Sequence, residues 1–440
     1  MSLELRFAIT LHFCLVGPQM ARLEFVHYEF FDMSPCEHAE PVWGKEKRAP
    51  IERLPQIFWE DGRGWDEANV WALDRAASRE IDMETVKRTM KHLCRYATFL
   101  EARDLDWRHF PVRLENQVLR MFRKRLMDDV GGGLLAISTA SNCINAVIQF
   151  YRFADKHNLV GADNPMWTDR LVTIPFFDAT GFKRAMVRLT TDLSISNRRR
   201  IGVQLEGGLL PLRAEHMKAL LTYTAAKESD ELHLMLSVGF FTGARLGTVT
   251  TLTVSCLQTA REDPVAPGIY LLPVGPGTGV ATKFSINGDI MVPKAVLDDL
   301  KAYAVSTGRL LIEAKAKRVD KNRLFLTRRA RPYSVGTVNR LIQDMRERAV
   351  AAGLEFMPRF YFHQSRATFG TWLMHLLLDS GAKSSSAIAF VKDAMLHKDE
   401  STAWRYIAFL EHTQAKEEMA TAFNEAFTGL RSRDWNDADA

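Results

Sequence analysis

"GIYLLPVGPGTGVATKFSINGDIMVPKAV" (residues 268–296) is where the hydrophobic period of this chain changes from helical to two. "GIYLLPV", "VATKFSI" and "DIMVPKAV" read as short strands. Asn287-Gly288 lies between the last two and is the strongest short hairpin signal, because both residues tolerate the positive φ that a two-residue turn demands. Before this stretch, "LLPLRAEHMKALLTY" and "DELHLMLSVGFFTGARLGTVTTL" read as helices, the second broken at Gly243. After it come "PKAVLDDLKAYAV", "YSVGTVNRLIQDMRERAVAAG", "ATFGTWLMHLLLDSG" and "SAIAFVKDAML", all helical. The C-terminal half is therefore mainly α with one small antiparallel sheet.

Working back toward the N-terminus, residues 76–165 read as a compact helical unit. In "IDMETVKRTMKHLCRYATFLEARDL", Val86, Met90, Leu93, Ala97 and Leu100 recur at helical spacing, with Asp82 as N-cap. "LENQVLRMFRKRLMDD" places Val118, Phe122 and Leu126 on one face and ends at the "GGG" of Gly131 to Gly133. "STASNCINAVIQFYRFADKHNL" places Ile144, Val147, Tyr151 and Ala154 inward, and "DNP" (Asp163 to Pro165) closes the unit. Residues 166–204 read as a basic linker, with Lys183, Arg184, Arg188, Arg198, Arg199 and Arg200 close together. Such a run is a solvated surface or a strap across phosphates. Residues 1–75 show no clean period and read as an irregular extension with a few short elements. The apolar run "FAITLHFCLVG" (7–17) is too short to span a membrane. It reads as a strand or as a start assigned upstream of Met20.

A chain of 440 residues has room for two or three domains, and its 47% hydrophobic and 25% charged residues are an ordinary globular composition. The net charge of +5 is compatible with a polyanionic partner without requiring one. The five cysteines, Cys14, Cys36, Cys94, Cys143 and Cys256, form no C-x-x-C pair. Neither a zinc ribbon nor a disulfide framework is indicated, and a reducing cytoplasm fits.

Four short pieces carry the chemistry. "TGARLGTVTTL" holds Arg245, "ATKFSINGD" holds Lys283, "FHQSRATFGTW" holds His363 and Arg366 one helical turn apart, and "MLHKDESTAWRYIAF" holds His397 nine residues before Tyr406. Each alone has an ordinary structural reading: a surface arginine, a solvated lysine, a helix-surface pair, a core tyrosine with a hydrogen-bonded tip.

In this order the set resembles the catalytic signature of the tyrosine recombinases, the phage integrase and Xer-like family. That pattern runs Arg, hairpin Lys, His-x-x-Arg, His, Tyr, and Arg245, Lys283, His363, Arg366, His397 and Tyr406 fill it. The family usually has Leu-Gly-His before the nucleophile, where this chain has Met395-Leu396-His397; it often has Leu where this chain has Ser365. The resemblance covers roughly residues 76–425. It implies a helical, SAM-like core-binding domain over 76–165 and a catalytic domain of the DNA breaking-rejoining fold over 205–425, followed by a tail over 426–440.

The resemblance also implies the activity: cleavage and rejoining of double-stranded DNA through a 3′-phosphotyrosyl link, without metal or cofactor, in a site-specific recombinase of a phage or other mobile element. Arg245 and Arg366 would clamp the non-bridging phosphate oxygens, His397 would donate a further hydrogen bond and Tyr406 would attack. His363 is the candidate base and Lys283 the candidate acid. Candidate DNA-facing residues are Arg123 and Lys124, with Arg120 and Arg125 beside them. Asn142 and Asn145 on the next helix, Arg198, Arg199 and Arg200 in the linker, and Thr337 and Arg340 complete the set. A homo-tetramer on paired sites is implied, together with accessory DNA-bending proteins, no membrane contact and a bacterial cytoplasm near the nucleoid. After Tyr406, Met419, Phe423, Phe427 and Leu430 form an apolar stripe suited to packing on the same domain or on a neighbouring protomer. The alternatives are a type IB topoisomerase-like or resolvase enzyme using the same groups, or a DNA-binding regulator without catalysis.

Overall fold

The computed structural model describes residues 20–34, 42–78, 80–161, 164–177, 183–197, 205, 208–400 and 402–413. The apolar run at 7–17, Arg198 to Arg200 and the stripe from Met419 to Leu430 lie outside them. The described residues are mainly helical with small antiparallel sheets, and the chain divides into two compact units, residues 1–174 with 187–198 and residues 175–186 with 199–440.

The first unit contains β1 (Arg22–Tyr28), β2 (Phe31–Ser34), β3 (Val42–Lys45), β4 (Ile51–Phe58), α1 (Asp66–Ala77), α2 (Met83–Glu101), α3 (Val118–Gly131) and α4 (Ile137–Lys156). The Asp82 carboxylate caps α2 by accepting from the Glu84 amide. The inward residues expected on α2, α3 and α4 are all buried. The described residues between positions 20 and 75 carry more regular structure than their sequence indicates. β1 pairs with β4 and β2 with β3, and Ile57, Trp65, Ala68 and Trp71 join the core of α2 to α4. No strand period is visible there because β1 and β4 slip register between Val26 and Tyr28, and Arg53 sits at φ 57°. Such a slip re-aims the side chains that follow and erases the alternation. The expected linker also carries structure: β5 (Asp169–Phe177) and β6 (Lys183–Thr191) pair as a two-stranded sheet.

The second unit runs through α5 (Ala214–Lys227), α6 (Asp230–Thr242), α7 (Leu246–Thr250), α8 (Val254–Gln258), β7 (Arg261–Glu262), β8 (Ile269–Val274) and β9 (Gly288–Pro293). Then come α9 (Lys294–Ala304), α10 (Thr307–Lys315), α11 (Val335–Ala351), α12 (His363–Asp379), α13 (Ser384–Ala394) and a helix over 402–413, α14. Leu272, Val274, Ile290 and Val292 of the sheet pack with Leu232, Leu236, Val249 and Leu297 in one core. A smaller cluster joins Phe369, Met374, Val391, Met395 and Tyr406.

The hairpin is not the one that Asn287-Gly288 predicts. β8 pairs directly with β9, with Ile269 opposite Pro293 and Val274 opposite Gly288. Asn287-Gly288 therefore leads into a strand, and 275–287 is a long loop. Gly275 turns the chain out of β8 at φ 110°, where a Cβ would lie 2.5 Å from the Ile286 carbonyl oxygen. Beyond it, "VATKFSI" is loop with a tight turn over Lys283–Ser285, in which Phe284 and Ser285 take positive φ.

In the first unit, the Tyr151 hydroxyl donates to the Trp107 carbonyl at 2.5 Å and accepts from Tyr96 at 2.6 Å, with both rings fully buried. Burial pushes both phenols above their ordinary range. Tyr151→Phe strands both the Trp107 carbonyl and the Tyr96 hydroxyl and should cost roughly 1–3 kcal/mol. Tyr96→Phe removes only a donor and should cost less; urea unfolding of the two variants checks the order.

Candidate active site and nucleic-acid interface

The site is assembled where three chain turns meet in the second unit. α6 ends at Gly243, whose φ of 64° is the left-handed stop that lets the chain reverse within one residue. A Cβ there would lie 2.5 Å from the Phe369 ring of α12. Two residues later Arg245 is the N-cap of α7 and half-buried, and its Nη1 donates to the Leu396 carbonyl at 3.4 Å.

α12 begins at His363, after a 3₁₀ turn over Met357–Arg359. Ser365 is fully buried, and a Cβ on Gly239 of α6 would meet its hydroxyl at 2.5 Å, so α6 and α12 approach through small residues. This close approach occupies the position where the signature often has leucine. Arg366 is 2% exposed. Its Nη1 donates to the Gly243 carbonyl at 2.5 Å and its Nη2 to the Met395 carbonyl at 2.7 Å. One guanidinium thus ties the end of α6 to the segment after α13. His363, half-buried, sits one turn earlier on the same helix.

That segment turns sharply. Leu396 takes φ 50°, its amide donating to the Asp393 carbonyl and that of His397 to the Lys392 carbonyl at 2.8 Å. The signature's glycine stands at this position, and the left-handed backbone supplies the physical reason for one; leucine adopts it at a cost in strain. Gly288 accommodates the Leu396 side chain, its absent Cβ leaving room for a Cδ atom 2.5 Å from where it would lie. His397 is 5% exposed and lies nearly parallel to the Tyr406 ring, with centroids 6.2 Å apart. Tyr406, on α14, is fully buried, and a Cβ on Gly370 would lie 2.6 Å from its ring.

Arg245, Lys283, Arg366 and Leu396 line one small cleft. Lys283 reaches it from the exposed 275–287 loop rather than from the strand on which the sequence puts it. The fold therefore brings five of the six signature residues to one place: three on the cleft, His397 directly after the two carbonyls that the arginines hold, and Tyr406 beside the His397 ring. His363 is joined to them through α12.

The candidate DNA-facing residues divide differently. Arg123 donates from Nε to the Leu193 carbonyl at 3.0 Å, and Arg120 pairs with Asp192 at 2.5 Å. Arg125 pairs with Asp129 at 3.0 Å, and Lys124 is exposed. Much of the basic charge of α3 thus serves its own unit. Asn142 is exposed and Asn145 half-buried on α4. On α11, Thr337 and Arg340 are exposed, the first in the turn capped by Ser334. A further basic face, absent from the sequence-based candidates, lies on α2, where Arg88, Lys91 and Arg95 are all exposed at spacings of three and four. Burial, and after it the charges of these three neighbouring cations, hold the His92 imidazole below its usual range. The helical period that found the core face of α2 also marks this opposite face.

Arg366→Ala removes two charge-assisted hydrogen bonds and leaves two buried carbonyls unserved. It should lower the unfolding free energy by roughly 2–4 kcal/mol. Arg366→Lys should recover only part, since one ammonium does not reproduce a planar fork between two carbonyls; denaturant midpoints of the two variants test this.

No protein-family model matches the sequence, and no curated protein matches it. Solved structures do. The XerH site-specific recombinase bound to its difH substrate is 16% identical, with a TM-score of 0.49 over 80% of this chain and 84% of that one. The Tn1549 transposon integrase in complex with transposon right-end DNA is 15% identical, with a TM-score of 0.48 over 81% of this chain and 98% of that one. A lambda integrase dimer bound to a core site is 13% identical, with a TM-score of 0.43 over 78% and 76%.

Proposed function

We propose that this chain is a tyrosine recombinase, a site-specific enzyme that cuts and rejoins duplex DNA through Tyr406. The observation that carries the reading is the joint placement of Arg245, Lys283 and Arg366 on one cleft, with both arginines gripping the backbone just before His397. A phosphodiester entering such a cleft meets permanent positive charge, which offsets the charge that grows on its non-bridging oxygens during transfer.

The Tyr406 oxygen forms a bond to phosphorus, and the bond from phosphorus to the 5′-bridging oxygen breaks. The phenolic proton passes to His363, and Lys283 gives a proton to the departing 5′-oxygen. The phosphotyrosyl link keeps the number of phosphoester bonds constant, so a 5′-hydroxyl can reverse the step and rejoin a strand without a nucleotide cofactor. Arg245 is the more accessible clamp. Arg366, which already serves two carbonyls, contributes mainly by holding the cleft's walls and its fixed charge nearby. Because Tyr406 is fully buried against Gly370 and Met395, α14 must release it before attack. Assembly on paired sites, and a mobile-element role, belong to the same reading.

The decisive test is covalent capture. Nicked duplexes with a randomised central segment are incubated with the protein and denatured in detergent, and adducts are recovered and sequenced. Wild-type protein should yield adducts on a defined sequence. Tyr406→Phe should fold and bind that sequence but yield none; adducts at the wild-type level would end the assignment. Lys283→Ala should slow cleavage, and a 5′-bridging phosphorothiolate should restore it, because sulfur leaves without a proton. Relaxation of supercoiled plasmids lacking the captured sequence would favour the topoisomerase reading instead.

The outward face of α2 belongs to this reading as a phosphate-binding surface. Replacing Arg88, Lys91 and Arg95 by serine should weaken binding to all duplexes alike. It should also flatten the dependence of log K on log salt by about one unit for each phosphate no longer neutralised. Loss of sequence preference with an unchanged salt slope would instead assign the face to base reading.

A further inference from the structure

Phe284 is the one aromatic side chain of the cleft-bordering loop, and the mechanism leaves it unused. It is 66% exposed, at the tip of the 275–287 loop, beside Lys283. Its φ is 63° and that of Ser285 is 52°, so two consecutive residues with side chains occupy the left-handed region. Bulky aromatics rarely adopt it, and such strain concentrates where a side chain must be aimed. The loop is pinned beneath this tip: the Thr282 hydroxyl donates to the Ile286 carbonyl at 2.6 Å, and the Ala281 amide donates to Thr251 Oγ1 at 2.9 Å. The ring is thus held out into solvent by a braced turn.

Two cations lie over it. Lys283 Nζ lies 5.0 Å from the ring centroid, and Lys398 Nζ, from the residue after His397, lies 5.7 Å away. The lysines come from two different loops of the site, and the ring stands where those loops meet. A flat apolar surface with two ammonium groups over it, next to a phosphate cleft, is complementary to a polymer that alternates anionic groups with flat rings, whose phosphates draw the ammonium groups off the ring.

Resting on the reading of the cleft as a DNA-cleaving site, we infer that Phe284 stacks on a nucleobase flanking the attacked phosphate. Lys283 and Lys398 take the phosphates on either side. The ring either covers an exposed base or wedges into the base step, as apolar side chains do in the minor groove. Its role is to choose which phosphodiester of the bound duplex faces Arg245, a choice that phosphate contacts alone cannot make because every phosphate is alike.

The experiment uses the duplex recovered by covalent capture and the full chain. Single abasic sites are placed in turn at each of the three nucleotides on either side of the cleavage point. Cleavage rates are measured for wild type, Phe284→Ala, Phe284→Leu and Phe284→Trp, with thermal unfolding as the control. The ring is exposed, so unfolding should not change. Phe284→Ala should cleave the intact duplex roughly 5- to 150-fold more slowly, the range that loss of one base–aromatic stack produces. At one flanking position the abasic duplex should slow wild type by a similar factor and Phe284→Ala no further. Phe284→Trp should retain the effect and Phe284→Leu should not.

If the losses multiply at every position, Phe284 merely spaces the lysines and the inference is overturned while the cleavage reading stands. If wild type captures no duplex, both fall together.

Discussion

The second unit depends on a buried permanent charge. The Arg366 guanidinium is almost wholly removed from water, which is costly unless its donors are met. It is met by two carbonyls, those of Gly243 and Met395, that belong to segments more than a hundred residues apart in sequence. Carbonyls of this kind occur only where backbone turns leave them outside helical hydrogen bonding. Each turn contains a left-handed residue, Gly243 in one and Leu396 in the other. The arginine therefore selects both turns. The second arginine, Arg245, takes the very next carbonyl, that of Leu396. With two successive carbonyls held, the position of His397 follows.

Packing around this bridge is close because α12 meets its neighbours through residues without side chains. Gly239 faces Ser365, Gly243 faces Phe369, and Gly370 faces Tyr406. Protein interiors tolerate little added volume at such contacts. The last of them has a functional consequence. The seat that Gly370 provides keeps the Tyr406 phenol out of water; on the reading proposed above, the same contact that stabilises the resting chain withholds the nucleophile until α14 shifts.

The first unit shows how little a charge run says about its destination. α3 is the most conspicuously basic helix there, yet Arg120, Arg123 and Arg125 each have a partner within the unit. The cations of α2 are spread among apolar residues in the sequence, and folding gathers them on one outward face. A carboxylate or carbonyl that arrives from distant chain, such as Asp192 or Leu193, decides whether an arginine is a strut or an outward-facing group.

Much is legible in the amino-acid order alone. The helical period locates the buried faces of α2, α3 and α4, the break at Gly243 locates the end of α6, and the order and spacing of Arg245, Lys283, His363, Arg366, His397 and Tyr406 single out the candidate site. These are local signals, set by side-chain periodicity, by glycine's access to positive φ and by chemical type. The strands before residue 76 are not legible, because a register slip and Arg53 at positive φ destroy alternation. The partner of β9 is not legible either: Asn287-Gly288 has the right local preference for a turn, but the burial of Leu272 and Val274 against Ile290 and Val292 pairs β8 with β9 and outweighs it. Sequence by itself determined which residues could do chemistry and which faces would be buried. Only tertiary structure decided that Arg366 spans two turns, that Tyr406 is sheltered and that Phe284 is held outward, because each depends on groups far apart in the chain meeting within a few ångströms.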